Sequence, residues 1–462
     1  MAASLTQALG AFVAELRSEA VPEDARAVAR TGFIDCLGVM LAGASEPVVG
    51  ILREVVGTGG EAEASILLGP ERAAAPNAAW INATAAHALD YDDVAQRGHP
   101  STVLVPAVLA EGEALDVDGA ALLTAYVAGY EVWAELVRHD GGYHHEKGWH
   151  PTGIFGAIGA AAACAKLHRL DAEKAAMAIA LAASQASGVV ANFGSMTKPF
   201  HAGRAAHSGI ISARLARAGM TASPDTIEHP RGFLRAISPE GKLDDLTPSE
   251  GFGRDWRIIT GRLSIKKYPM CYFAHRAADA MIDLVKSERP DPRAIERIEV
   301  SVSRSHAAVL RNAQPNTGLE AKFSAQFAMA AALTTGWIGL RELTDSYVQR
   351  PEIQDLMRRV IVVPSDDIDP ALPGYARADS VRIFMKDGRR IDSVPVRRAR
   401  GHAEAPLRED ELRAKFEDCL ASADAGAHAA PLYQKLRHLE ALPSARALST
   451  SREPARDASS AV

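Results

Sequence analysis

The stretch "TKPFHAGRAAHSG" (197–209) sets Lys198, His201, Arg204 and His207 three residues apart among small neighbours. Such positive potential suits a phosphate, a metal shell or a small carboxylate. A phosphate loop of the GxxxxGK[ST] type following a strand is absent. Pro199 suits the first helical position, which would put Lys198 at the N-cap, its ammonium added to the positive end of the helix dipole. Steps of three residues drift by ~60° around a helix, so the four side chains spread over about half its surface. Lys198 and His201 are therefore expected to share a pocket, and Arg204 and His207 to serve packing or an interface.

Three further stretches carry chemistry. "HALDYDDVAQRGHPSTVLVPAVLA" puts Asp90, Asp92 and Asp93 ahead of His99. A calcium loop would need Gly six positions in and Glu at twelve, where Ala95 and Ser101 stand. A solvated acidic cap is the ordinary reading; the chemical one is that a carboxylate fixes the tautomer of His99 and raises its basicity, as general acid–base work requires. "GGYHHEKGWHPTGIFGAIGA" lacks the HExxH spacing of a zinc protease and breaks at Gly148, while His150 precedes Pro151 at the mouth of a Gly/Ala-rich helix. In "LSIKKYPMCYFAHRAADA", Lys266 and Lys267 precede a turn at Pro269, with Cys271 and His275 beyond it. A basic hinge with a buried thiol is the plain alternative to a lysine that closes over an anion.

The elements that must position these residues belong to a large soluble chain. Its 462 residues exceed one ordinary core and predict two domains or one domain with an insertion. A formal charge of −6 offers no global field for nucleic acid or an anionic membrane, so any anion site is local. The N-terminus has no basic region leading into an apolar run, no membrane span is expected, and Cys36, Cys164, Cys271 and Cys419 form no CxxC pair. A reducing, cytoplasmic setting is expected. Cys36, Cys164 and Cys419 read as core residues.

Up to about residue 262 the apolar residues recur at helical spacing, in small-residue-rich segments such as "GAALLTAYVAGYEVWAELVRH". After "KKYP" the texture changes. "IERIEVSVSR" alternates, "RVIVVP" is β-branched, "AKFSAQFAMAAALTTGW" between them is helical, and "SVRIFMKDGRRIDSVPV" reads as a hairpin turning at Asp387-Gly388. The expected fold is mainly α: a helical domain over 1–265, an inserted α+β domain over 266–400, a C-terminal return over 401–445 led by a helix at 408–423, and a disordered tail over 446–462.

Seven segments in order, "FIDCLGVMLAG", "ALDYDD", "GHPSTVLVPA", "GWHPTG", "TKPFHAGRAAHSG", "KKYPMC" and "NTGLEAKFS", resemble the MmgE/PrpD family over nearly the whole chain. The resemblance implies a helical domain with an α+β lid, a homodimer without metal or organic cofactor, and a small di- or tricarboxylate substrate. It implies lyase chemistry, dehydration or decarboxylation, with epimerisation of an iminodisuccinate type as the alternative; a non-catalytic carboxylate binder and a metal-dependent hydrolase are more distant. It places Asp90, His99, His150, Lys198 and Lys266 around a cleft. His99 and His150 would be the acid–base pair, Asp90 would orient an imidazole, and Lys198 and Lys266, with His201 and Cys271, would hold substrate. The chain departs from the animal decarboxylases at Cys271, where they carry a histidine. "GWHPT" resembles the epimerase and decarboxylase branches, and Cys271 after "KKYPM" the epimerase.

Overall fold

In the computed structural model, residues 4–449 are described except 58–60, 141, 143, 242, 244–245 and 371–373. They form two units: Met1–Leu263 with Ala423–Val462, and Ser264–Ser422.

The first unit is built on helices α1 (Leu5–Glu15), α2 (Glu23–Ala42), α3 (Pro47–Val56), α4 (Ala75–Ala88), α5 (Pro100–Leu115), α6 (Gly119–Arg138), α7 (Pro151–Leu167), α8 (Ala172–Ala183) and α9 (Thr197–Arg217). Short polar side chains start several of them by satisfying first-turn amides: Asp118 accepts from Ala121 N at 2.8 Å and Asp171 from Lys174 N at 2.9 Å. The helices bury alanine and glycine all round, so their axes approach closely. On α9, a Cβ at Gly203 would lie 2.2 Å from Thr84 Oγ1 of α4, and one at Gly209 2.3 Å from Ala160 Cβ of α7. These two contacts seat α9 against α4 and α7, and the site stands at one end of that arrangement.

The stretch Glu23–Ser45 has the length and mean hydropathy of a membrane span, contrary to the expectation that no segment would. Of its most apolar 18-residue window 67% is buried inside the protein, and most of the stretch is the core helix α2. Cys36, Cys164 and Cys419 are buried, as expected.

The second unit has a four-stranded sheet of β1 (Ile295–Ser303), β2 (Val360–Ser365), β3 (Ser380–Met385) and β4 (Arg390–Asp392), in the order β2-β1-β3-β4. Strand β1 pairs parallel with β2, Val300 opposite Val362, and antiparallel with β3, Val300 opposite Val381. The β3–β4 turn holds Gly388 at φ 85°, the left-handed conformation glycine adopts without strain. Helices α10 (His275–Glu288) and α11 (Ala325–Thr335) join Ile298, Val300 and Val302 of β1 in its core.

The return to the helical unit comes later than expected. Helix α12 (Glu409–Ser422) belongs to the second unit, where Lys267 Nζ donates to Glu411 at 2.6 Å and Asp418 accepts from Leu340 N at 3.2 Å. Its buried Leu412, Phe416, Cys419 and Leu420 explain why amphipathic spacing alone could not tell which core it joins. Helix α13 (Ala429–Arg437) does pack on α2. Part of the expected tail is ordered: Arg446 Nε donates to Glu113 O at 2.9 Å and Leu448 is fully buried. Residues 450–462 lie outside the described ones.

Candidate active site

His99 and His150 occupy equivalent local positions. Each is the residue before a helix, α5 and α7, and each is followed by a proline whose missing N–H costs nothing in a first turn. Each ring is thereby presented at a helix mouth.

Asp92 joins two imidazoles. It is fully buried, its carboxylate lies 3.0 Å from His87 Nδ1 and 2.6 Å from His99 Nδ1, and the two rings are 4.6 Å apart. His99 Nδ1 also lies 2.8 Å from the carbonyl of Asp93. An acceptor at Nδ1 keeps the proton there and leaves the Nε2 lone pair bare, the tautomer of a general base. Burial opposes an ionised Asp92, yet the adjoining imidazoles hold it well below the usual carboxylate range. His87, driven by burial to about 4 against the pull of Asp92, is neutral at pH 7.

The second pair is His150 and His201, with Nδ1 atoms 3.1 Å apart. One must donate and the other accept, so both cannot be protonated at Nδ1. Burial, followed by the fields of His87, Lys198, His99 and His201, keeps His150 neutral. Its ring stacks 5.8 Å from His87, which links the two pairs into a row of four imidazoles.

Lys198 completes the cluster. Its Nζ donates to Asp90 at 2.6 Å and stands 5.5 Å over the ring of Phe193, itself edge to face with His150 at 4.8 Å. Asp90 accepts from the lysine, and the carboxylate that bridges two imidazoles is its neighbour Asp92. The acidic stretch is no solvated cap, since Asp92 and Asp93 are fully buried. Helix α9 also begins at Thr197 rather than Pro199, because Ser195 Oγ accepts from Thr197 N at 3.2 Å and opens the turn two residues earlier. Lys198 is in the first turn, not at the N-cap. Arg204 and His207 do turn away, bonded to each other at 2.7 Å and packed on Trp80.

His87 was not singled out by sequence reasoning, although a His-x4-Asp spacing was there to see. One donor atom from each of His87, Asp90, Asp92 and His99 falls within 4.8 Å of the others, a set that could take a cation. Lys198 brings a competing positive charge to the same carboxylate.

Lys266 and Cys271 lie in the second unit. Lys266 is buried and Cys271 half-buried, its N–H donated to Lys322 O at 2.9 Å. His275, fully buried, is pushed down to about 3 by burial and then by the charge of Lys266. The unfolded chain therefore takes up this proton near pH 6.5 and the native state does not, so the contribution is intact above that value and is lost as pH falls. A His275→Leu variant lacks the loss. Its stability relative to wild type should improve by about 2 kcal/mol between pH 7.5 and pH 5, measured by urea unfolding.

Comparison with known proteins gives two matches along the chain. Residues 7–245 match the MmgE/PrpD N-terminal domain and residues 268–431 the MmgE/PrpD C-terminal domain. The chain is 29% identical over 356 residues to a protein of Mus musculus named cis-aconitate decarboxylase, covering 73% of this chain and 70% of that one. It is 28% identical over 358 residues to the Homo sapiens protein of the same name, covering 73% and 71%. A cis-aconitate decarboxylase-like protein oryM of Aspergillus oryzae is 25% identical over 445 residues, 91% of each chain.

Proposed function

The chain belongs to the MmgE/PrpD family, and we propose that it is a lyase acting on a small di- or tricarboxylate, with cis-aconitate the first substrate to test. The observation that carries this reading is the row of four imidazoles, two of them on Asp92, beside the ammonium of Lys198. Loss of carbon dioxide or of a proton leaves an electron pair on a carbon next to a carboxylate. The site must then return a proton to carbon, or take one from it, while fixed positive charge holds the carboxylates. His99 and His150 are the proposed acid–base pair, and a proton held on His99 Nδ1 would leave its Nε2 free to act as the base. Lys198 has three donors, so it can keep Asp90 and still bind substrate.

The family resemblance adds Lys266 and Cys271 as substrate contacts, the second unit in the role of a lid, and a cytoplasmic homodimer needing no metal or organic cofactor. These belong to the proposal. Epimerisation is the second reading, favoured by Cys271 where the animal decarboxylases carry a histidine. Incubation in heavy water followed by NMR decides: loss of a carboxylate or a new alkene supports a lyase, deuterium exchange with inversion at the α-carbon an epimerase. No change with any di- or tricarboxylate overturns both. Because four donors converge at Asp92, the assay includes a chelator arm. Activity unchanged in EDTA supports the metal-free reading, and loss restored by a divalent cation replaces it.

Lys198→Met should raise KM by about tenfold or more, since a hydrogen bond to a charged group contributes about 1.5–3 kcal/mol. An unchanged KM removes Lys198 from carboxylate binding.

A further inference from the structure

The turn that delivers His99 has a second face. Ala95 and Gly98 exchange both backbone bonds, at 3.0 and 2.9 Å, and enclose Gln96 at φ 47° and Arg97 at φ 62°. Two-residue turns of this kind favour asparagine or glycine, because a Cβ is disfavoured in the left-handed region. Here a glutamine and an arginine are held there. Trp133 Nε1 donates to Gln96 O at 3.1 Å, Gln96 Nε2 to Tyr130 Oη at 3.3 Å, and Arg97 Nη1 to Asp140 O at 2.8 Å and to Gly142 O. A strained turn held in place by its surroundings is the kind of outlier that motivates a functional hypothesis.

Both line a cavity of about 330 Å³ in the helical unit, with Arg138, Arg257, Thr260 and the small apolar floor of Ala134 and Val137. Three arginines, a glutamine and a threonine thus contribute to its lining, and its described wall holds no carboxylate. The acids nearby are engaged behind the wall. Glu135 accepts from Arg138 at 3.2 Å and from Ser249 N at 2.7 Å. Glu131 accepts from the N–H groups of Arg257 and Ile258 at 3.0 and 2.8 Å and is lifted by burial to about 7, so it brings less than a full negative charge.

We propose that this arginine-lined cavity is a second anion site, separate from the imidazole row, that binds a small phosphate or polycarboxylate and acts on the reaction through the strained Gln96-Arg97 turn. Guanidinium forks match the paired oxygens of either anion. The assignment of the cavity does not depend on the proposed reaction; only its coupling to turnover does.

Titration calorimetry of the full chain with inorganic phosphate, and separately with tricarballylate, tests it. In a Lys198→Ala background, which disables the proposed carboxylate contact, phosphate or tricarballylate should still bind, and whichever binds names the source. Arg257→Ala should weaken that binding by about tenfold or more, with Arg257→Lys intermediate. Arg138→Ala should act in the same direction. Binding lost with Lys198→Ala, or indifferent to both arginine variants, or absent for both anions, overturns the site. Saturating anion should change turnover in wild type and leave Arg257→Ala unaffected; binding without that change overturns the coupling. Failure to turn over any carboxylate while binding persists counts against the proposed reaction alone.

Discussion

His99→Ala and His150→Ala should each lower the turnover of cis-aconitate, or of whichever carboxylate proves to be the substrate, by ~10²–10⁴, the usual worth of a positioned acid or base. The two variants should differ in stability. His99 is partly open, whereas His150 is 1% exposed, stacks on His87 and touches Phe193, so its truncation also empties packed space. His150→Gln, which keeps most of the volume, separates the two effects: turnover should stay low while the melting temperature recovers. Far-ultraviolet circular dichroism and thermal unfolding check the fold, and steady-state kinetics the chemistry. Turnover near wild type in either alanine variant removes that histidine from the acid–base pair.

The helix start at His150 was legible because His-Pro carries a local rule: proline is tolerated in the first turn, and the residue before it is presented at the mouth. The strands at 295–303, 360–365 and 380–385 were legible for the same reason, since period-two alternation and an Asp-Gly turn are local signals. What local rules cannot supply is which side chain meets which across the fold. His87 lies at the end of α4, in a helix so uniformly buried that no polar face marks it out. Only the close seating of α9 on α4 and α7 brings Lys198 to Asp90 and His201 to His150. The same limit displaced α12, whose apolar stripe reads identically whichever core it covers. It also hid the bridging role of Asp92, because Asp90 and Asp92 are neighbours in an acidic run and only their backbone differs. Asp90 is held at φ 52°, one residue past α4 and its C-cap, and faces the lysine, while Asp92 turns inward to the imidazoles.

That inward turn makes Asp92 the residue whose loss should cost most after the histidines. Asp92→Asn retains size but replaces one acceptor oxygen by an NH2 group, so one of the two imidazoles loses its acceptor and faces a donor. That ring is then free to flip its proton to Nε2, which silences it as a base. An equivalent tautomer defect in the Ser-His-Asp triad costs about 10⁴ in turnover. Asp92→Asn should therefore lower kcat by ~10²–10⁴, with KM changed far less because Lys198, the proposed carboxylate contact, is untouched. Asp92→Ala should be worse in a second way, since it strips the partner from a fully buried His87, whose Nε2 already has no partner among the described residues. An unsatisfied buried polar group costs about 1–3 kcal/mol, so this variant should also melt lower. Adding millimolar divalent cations separates the two readings of the cluster. If Asp92 orients imidazoles, no cation restores Asp92→Asn; if it is a metal ligand, excess cation recovers part of the activity, and the imidazole-orienting role falls.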